Sequence, residues 1–388
     1  MSAAATGSPV IYLDNAATSW PKPEAVGAAM LDCLERIGGS PGRSGHRMAV
    51  AAARVVAETR VALGELFNID DPSRIVLTKN VTEALNQALY GLVGQGDRVI
   101  TTAIEHNSVM RPLRHLEQKG AEISVVPGSP DGALDLESLA LALERPARLL
   151  VLTHASNVIG NVLPVAEVAC LAHAQGIPVL LDAAQTAGAW PVDVQALGVD
   201  MLAFTGHKAL FGPTGTGGLW LREGLELEPL VRGGTGSNSE LELQPDFLPD
   251  QLESGTLNVV GIAGLGAGVS HVLACGVGTI RDHEGCLGAR FLDGLRQVPR
   301  ARPLGPQDAA ARVGLASFNL DGVSPSDVGL ILDRRFGIMC RIGLHCAPAA
   351  HQALGTYPVG TVRFSWSAFT TEGEIDAAIE ALATIARG

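Results

Sequence analysis

The feature that most constrains the fold is an alternation of short β-branched runs with longer helical stretches, which begins at about Arg74. This rhythm predicts βαβ units and a largely parallel sheet, because parallel strands need a long crossover between them. The predicted strands are 74–77, 98–102, 122–126, 148–153, 179–182, 200–204 and 217–221. The predicted helices are 82–92, 107–119, 164–175 and a helix that runs from the N-cap Asp135 to residue 144.

The pattern changes near residue 270 to a smaller α+β region. Its strand candidates are 314–320 and 361–366, a glycine-rich helix near 261–274 leads into it, and an amphipathic helix at 372–386 ends it. A polar, proline-containing stretch at 233–251 is predicted to be a surface loop. A chain of 388 residues is long enough for two domains. We therefore expect a large domain over 17–269 and a small domain built from 1–16 and 270–388.

Charge and cysteine content exclude several classes of protein. A net charge of −12 without any basic run disfavours nucleic-acid binding, which depends on clustered Lys and Arg. Six scattered cysteines do not resemble a secreted disulfide scaffold and suit a reducing compartment. Residues 1–9 lack the features of a signal peptide, and no apolar run approaches the roughly 20 residues of a membrane span. The sequence therefore predicts a cytoplasmic protein that binds neither nucleic acid nor membrane.

Two strand ends place reactive side chains where a doubly wound sheet binds its ligands. Asp182 ends an apolar strand, and Lys208 follows the next strand in Thr205-Gly206-His207-Lys208. A buried carboxylate needs a cationic or hydrogen-bonding partner, such as a protonated pyridine nitrogen. A desolvated lysine can lose its proton and form a Schiff base with an aldehyde. Taken alone, Asp182 is more simply explained as a turn cap, and Lys208 as a surface residue.

Together these segments resemble the class V, fold type I, pyridoxal-phosphate (PLP) enzymes, within them the cysteine desulfurases and selenocysteine lyases. The resemblance is carried by Asp182-x-x-Gln185 and Thr205–Lys208, and extends from Tyr12–Thr18 through Ser40–His46 to Gly360–Arg363. It implies a large domain with a mostly parallel, seven-stranded type of sheet flanked by helices, and a smaller α+β domain.

The resemblance also implies a role for each matching residue. Around the cofactor ring it implies a Schiff base at Lys208, a ring-nitrogen contact at Asp182, a hydrogen bond to the phenolate oxygen from Gln185, and stacking by His106. Around the phosphate it implies Thr82, Val81 (where the family often has threonine), Thr205, His207 and, from a partner subunit, Thr256. Asn157 and Arg363 match the substrate-binding positions, and no metal is expected. The Thr256 match implies a homodimer with shared active sites.

The segment Arg341–Pro348 is predicted to be a loop that carries a reactive thiol. It resembles the Arg-x-Gly-His-His-Cys-Ala stretch of group II desulfurases, with Cys346 as the nucleophile and Leu344 in place of the first histidine. Positive charge from His345 and Arg341 is expected to favour the thiolate of Cys346. A lone cysteine is more often a small buried hydrophobic residue, and a zinc site is disfavoured because no second ligand pair has the usual spacing.

The resulting expectation is a PLP-dependent desulfurase that converts L-cysteine to L-alanine and leaves a persulfide on Cys346. Lys208 would move the proton at Cα, and His106 would act as a proton shuttle. A selenocysteine lyase, another class V enzyme such as an aminotransferase or C–S lyase, and a noncatalytic sulfur-transfer scaffold remain alternatives. The sulfur-acceptor protein and the pathway, iron–sulfur cluster assembly included, stay open. Glycine-rich stretches at 212–218 and 264–268 fit tight turns or close packing better than nucleotide-binding motifs.

Overall fold

The structure is a computed structural model that describes residues 10–42, 45–129, 131–238 and 240–388. Arg43 and Ser44, which belong to the Ser40–His46 part of the resemblance, lie outside the described residues. Residues 1–9 of the expected small domain lie outside them as well.

Strands and helices alternate along most of the described chain. The strands are β1 (Ile11–Tyr12), β2 (Ile75–Thr78), β3 (Arg98–Thr102), β4 (Glu122–Val126), β5 (Leu149–Thr153), β6 (Val179–Asp182), β7 (Met201–Thr205), β8 (Gly217–Leu221), β9 (Ala301–Pro303), β10 (Leu315–Leu320), β11 (Ile338–Met339), β12 (Arg341–Gly343) and β13 (Thr361–Ser365). The α-helices are α1 (Glu24–Asp32), α2 (Arg47–Phe67), α3 (Val81–Leu92), α4 (Asn107–Gln118), α5 (Leu136–Leu143), α6 (Val165–His173), α7 (Val194–Leu197), α8 (Val259–Cys275), α9 (Val277–Gln297), α10 (Pro325–Phe336), α11 (Pro348–Ala353) and α12 (Glu372–Arg387). The predicted loop at 233–251 contains no helix or strand among its described residues.

The large sheet has seven strands in the order β2-β8-β7-β6-β5-β3-β4. All of its pairings are parallel except those of β8, which runs antiparallel to both β2 and β7. Every residue of β5, β6 and β7 is buried, because helices cover both faces of the sheet. The predicted mostly parallel α/β fold is therefore confirmed, whereas the direction of β8 was not predicted.

One of the covering helices explains the glycine-rich stretch at 264–268. This stretch lies inside α8, which packs against α1 and α2. A Cβ atom on Gly268 would overlap the carbonyl oxygen of Leu210, two residues after Lys208. The glycine therefore allows α8 to support the loop that carries Lys208, as the close-packing interpretation predicts.

The smaller sheet is antiparallel, in the order β12-β13-β10-β9. Its core contains an aromatic cluster formed by Phe291, Phe318, Phe364 and Trp366. β1 pairs with β11, so the start of the described chain joins this region. Residue 270 lies inside α8, and the predicted division into 17–269 and 1–16 with 270–388 stays a prediction.

Within the described ranges, no helix taken singly has both the length and the apolar character of a membrane span. α8 and α9 meet that test only as a pair, and the pair bends by 79°. Packing accounts for the apolar character of α8, which buries Leu265 and Val269 in the core.

Candidate active site

The carboxyl ends of the central strands bring the predicted carboxylate and lysine into one site. Asp182 is 2% exposed, and its Oδ1 atom accepts a hydrogen bond of 2.9 Å from the Ala184 N–H. Burial raises the pKa of Asp182, and the Lys208 ammonium opposes that shift. Burial lowers the pKa of Lys208 to about 8, with an opposing contribution from Asp182. A substantial fraction of the Lys208 amine is therefore neutral near physiological pH.

An N-terminal segment holds the backbone of the lysine loop. The carbonyl oxygen of His207 accepts hydrogen bonds from Thr18 Oγ1, Ser19 N–H and Lys22 Nζ, each 3.0 Å long. Ser19 Oγ also donates to the Lys208 carbonyl at 2.8 Å. Burial lowers the pKa of Lys22 to about 8. The sequence did not predict these contacts, because a hydrogen bond from Ser19 or Lys22 to a carbonyl group far away along the chain leaves no local pattern.

The start of α3 offers free backbone donors to an anion. The Asn80 side chain caps the helix by accepting the Glu83 N–H at 2.9 Å. The N–H groups of Val81 and Thr82 have no hydrogen-bond partner among the described residues. Val81 is buried in the core and offers only its backbone, whereas Thr82 is exposed. The helix start can therefore bind a phosphate group.

Two buried polar atoms near Lys208 have no partner within the described chain. They are Oγ1 of Thr205, at the end of β7, and Nδ1 of His207. Burial lowers the pKa of His207 to about 4, so this ring is neutral near pH 7. Because unsatisfied buried polar atoms are rare in native structures, a hydrogen-bonding ligand is expected to contact them.

His106 forms the N-cap of α4. The Ser108 N–H donates to His106 Nδ1 at 3.0 Å, so the neutral ring carries its proton on Nε2. Burial lowers the pKa of His106 to about 4, and the nearby Lys208 charge acts in the same direction. His106 is therefore neutral, and its Nε2–H can donate a hydrogen bond.

Arg363 lies on β13 and is only 2% exposed. It donates from one terminal nitrogen to the Asn157 carbonyl at 2.9 Å and from the other to Asp14 Oδ1 at 2.8 Å. Burial lowers the pKa of Arg363, while the Coulombic contributions of Asp14 and Cys346 raise it. Arg363 thus keeps unused N–H donors beside Lys208 and Cys346, which suits a carboxylate ligand.

The Asn157 side chain contacts the segment that carries Cys346. Its amide nitrogen donates to the His345 carbonyl at 2.7 Å, next to Cys346. In this geometry Asn157 ties the cysteine loop to the large sheet, and its predicted contact with substrate stays a prediction.

The cysteine loop exposes its thiol on a fixed backbone. His345 and Cys346 adopt positive φ values of 47° and 57°. The Asn107 N–H, at the start of α4, donates to the Cys346 carbonyl at 2.8 Å, and the His345 ring bonds Thr361 Oγ1 at 2.8 Å. Such constrained conformations persist where the surrounding contacts determine them. The thiol is therefore presented beside His106 and Arg363 rather than on a free loop.

The prediction that His345 carries a positive charge is wrong. His345 is buried, and burial lowers its pKa to about 2, with Arg363 acting in the same direction. The ring is consequently neutral, and the cation shown to interact with Cys346 is Arg363. Cys340 is partly buried, and burial raises its pKa to about 12, so it remains a thiol. In the ranges that the structure covers, no three His, Cys, Asp or Glu side chains form a metal-binding group.

Two further predicted residues lie at the edges of the site. Gln185 donates to the Ala16 carbonyl at 3.3 Å and lines a small cavity together with Lys208. Thr256 is exposed on the rim of a cleft that Thr78 also lines. The contact of Thr256 with a partner subunit stays a prediction.

A buried ion pair anchors the segment that carries Thr256. Glu253 binds the Arg60 guanidinium at 2.5 Å and accepts the Leu77 N–H at the end of β2. The pair joins this segment to the strand that leads into the start of α3. Sequence reasoning missed Glu253, since a single charged residue in a loop usually faces solvent.

Comparisons with known proteins identify the family and the fold of this chain. The family model of the class-V aminotransferases matches residues 11–378. A cysteine desulfurase from Cronobacter sakazakii is 35% identical over 391 residues, which cover 98% of this chain and 94% of the relative. The apo structure of a cysteine desulfurase from Thermococcus onnurineus superposes with a TM-score of 0.92 at 34% identity, covering 98% of this chain and 95% of that one. A cysteine desulfurase structure from Escherichia coli gives a TM-score of 0.86 at 30% identity, with coverage of 96% and 94%.

Proposed function

We propose that this chain, which belongs to the class-V aminotransferase family and is a cysteine desulfurase, uses PLP as the cofactor with which it takes sulfur from L-cysteine. The products are L-alanine and a persulfide on Cys346. One observation supports the proposal most directly. Four side chains lie close together at the carboxyl ends of the strands of the large sheet, namely Lys208, Asp182, Arg363 and Cys346.

The donor set fits PLP. The carboxylate of Asp182 suits the protonated ring nitrogen, and Lys208 suits the aldehyde. The unpartnered Thr205 Oγ1 and His207 Nδ1 atoms, with the free N–H groups at the start of α3, suit the phosphate. When bound, PLP withdraws electrons from the substrate and makes its Cα–H bond acidic.

The side chains of this chain supply binding, proton transfer and the nucleophile. The unused N–H groups of Arg363 bind the substrate carboxylate, and the neutral Lys208 amine moves the proton at Cα. Cys346 Sγ forms a bond to the substrate sulfur while the substrate Cβ–S bond breaks and its electron pair returns to carbon. A proton equal to the one that the Cys346 thiol gives up is relayed through His106 to that carbon, and Lys208 returns the proton to Cα. L-Alanine is then complete, and Cys346 keeps the sulfur as a persulfide.

We extend the proposal to assembly and location. In a homodimer, the exposed Thr256 would reach the phosphate of a second copy, and the exposed Cys346 would pass its sulfur to an acceptor protein. All six cysteines are free thiols, which suits a reducing cytoplasm.

The test compares two cysteine variants of the full chain. Cys346→Ala is expected to keep the cofactor absorbance but to lower alanine formation from L-cysteine at least about a hundredfold, because the nucleophile is missing. Cys340→Ala is the matched control and should retain the wild-type rate, since its thiol is partly buried and protonated. Alanine and sulfide are measured together in the presence of a thiol reductant. A wild-type rate in Cys346→Ala would overturn the nucleophile assignment, and absence of a cofactor absorbance band in the wild type would overturn the cofactor.

A further inference from the structure

Glu105 is a buried carboxyl group for which the reaction above has no use. It is 0% exposed and immediately precedes His106. Its Oε1 atom accepts two hydrogen bonds, from Thr102 Oγ1 at 2.6 Å and from the Thr153 N–H at 2.9 Å. Thr102 ends β3 and Thr153 ends the adjacent strand β5. Glu105 therefore joins two strand ends at the floor of the site.

Among the residues that the structure describes, no cation pairs with Glu105. Within the described chain it forms no ion pair, and its Oε2 atom has no hydrogen-bond partner although it is buried. Asp182 interacts electrostatically with Glu105, and its negative charge would repel an ionised Glu105. In the sheet register, Asp182 lies directly opposite Thr153. An ionised carboxylate in these surroundings would be both desolvated and repelled.

We propose that Glu105 is a positioning residue that remains a neutral carboxylic acid in the working enzyme. It links β3 to β5 through Oε1 and keeps its proton on Oε2, so that Asp182 is the ionised carboxylate beneath the cofactor ring. This inference rests on the proposed function, because it concerns the ring-nitrogen contact of Asp182. Burial raises the pKa of Glu105 to about 8, which also favours the protonated form of Glu105.

The neutral state matters because of its effect on Asp182. Two nearby carboxylates compete for one proton, and a charged Glu105 would raise the pKa of Asp182. Asp182 would then take up a proton more readily and be a weaker counter-ion for the ring nitrogen. The neutral acid keeps the two hydrogen bonds of Oε1 and leaves this counter-ion charged.

Infrared difference spectra of the full-length wild type and Glu105→Gln test the protonation state directly. At pH 7 we expect the variant to lose one carbonyl band of a protonated carboxylic acid, while the band of the other deeply buried acid, Glu284, remains. Glu117→Gln, at an exposed ion-paired position, is the matched control and should lose a carboxylate band instead. Loss of a carboxylate band in Glu105→Gln would overturn the proposal. This result does not depend on turnover, so it is independent of whether Cys346 is the nucleophile.

A pH titration of the cofactor absorbance tests the effect on the site. Glutamine keeps a neutral acceptor for Thr102 and Thr153, so Glu105→Gln should stay within about threefold of the wild-type kcat/KM at pH 7. The wild-type titration should contain a step near pH 8 that the variant lacks, because Glu105 ionises only in the wild type. Superimposable titrations, or a loss of kcat/KM greater than about tenfold at pH 7, would contradict the neutral role. If Glu105→Gln did not fold, Glu284→Gln would remove the band of the other buried acid. An acid band that remains in Glu284→Gln at pH 7 would support a neutral Glu105, and its absence would overturn the proposal.

Discussion

The substitution Arg363→Lys isolates the binding of the substrate carboxylate, because it keeps the charge and removes the guanidinium geometry. Arginine has five N–H donors, of which the structure uses one for the Asn157 carbonyl and one for Asp14. Three donors therefore remain for the substrate. Lysine has three donors in total, so it keeps one for the substrate if it retains both structural bonds.

The expected loss follows from this count. A carboxylate that arginine binds with two donors would keep one, and a hydrogen bond to a charged group contributes about 1.5–3 kcal/mol. Since about 1.4 kcal/mol corresponds to a tenfold change in affinity, KM for L-cysteine should rise about 10- to 150-fold. kcat should change less, because the carboxylate contact is present both before and during the reaction.

The assay is the initial rate of alanine formation over a range of L-cysteine concentrations. Arg98→Lys is the matched control, because Arg98 is also buried but begins β3 at the end of the sheet opposite the site. It donates to the carbonyl groups of Ala142 and Arg145, and its substitution should leave KM unchanged. A KM within about twofold of wild type in Arg363→Lys, or an equal rise in Arg98→Lys, would refute the reasoning.

Two further predictions concern pH dependence and stability. The rate at which the full-length protein without cofactor combines with PLP should rise about tenfold per pH unit below pH 8 and level off above it, because only the neutral Lys208 amine attacks the aldehyde. Stopped-flow absorbance measures this rate. A rate that does not change between pH 6 and pH 8 would contradict the prediction. Glu253→Ala should lower the free energy of unfolding in urea by about 3–5 kcal/mol, because it leaves Arg60 buried without a counter-ion and the Leu77 N–H unpaired. Glu228→Ala, which breaks an exposed i,i+4 ion pair, should cost less than about 1 kcal/mol, and equal losses in the two variants would contradict the argument.

Local patterns in the sequence were sufficient for much of the fold. The strand predicted at 179–182 is β6 without change, and the strand predicted at 217–221 is β8. Such predictions succeed because a buried strand must be apolar along its own length and its ends need turn residues. The direction of β8 was not predictable in this way, since a buried strand has the same composition in either direction.

In the site, too, some features were predictable from the sequence and others were not. Asp182 and Lys208 were identifiable because each follows an apolar strand, and parallel strands end at one edge of the sheet. The charge of His345 was wrongly predicted from its position beside Cys346. Whether a histidine is charged depends on its burial and its neighbours in space, which sequence adjacency does not report.

By itself, the sequence determined the order along the chain of the seven strands of the large sheet and the residues whose chemistry could support catalysis, because hydrophobic periodicity and residue type are local properties. Only the tertiary structure decided that Lys22 donates to the His207 carbonyl, that Asn157 donates to the His345 carbonyl, and that Glu105 is buried with no ion-pair partner among the described residues. Each of these roles depends on a hydrogen bond or a loss of solvent that arises when distant segments pack together. For that reason no pattern along the chain records them.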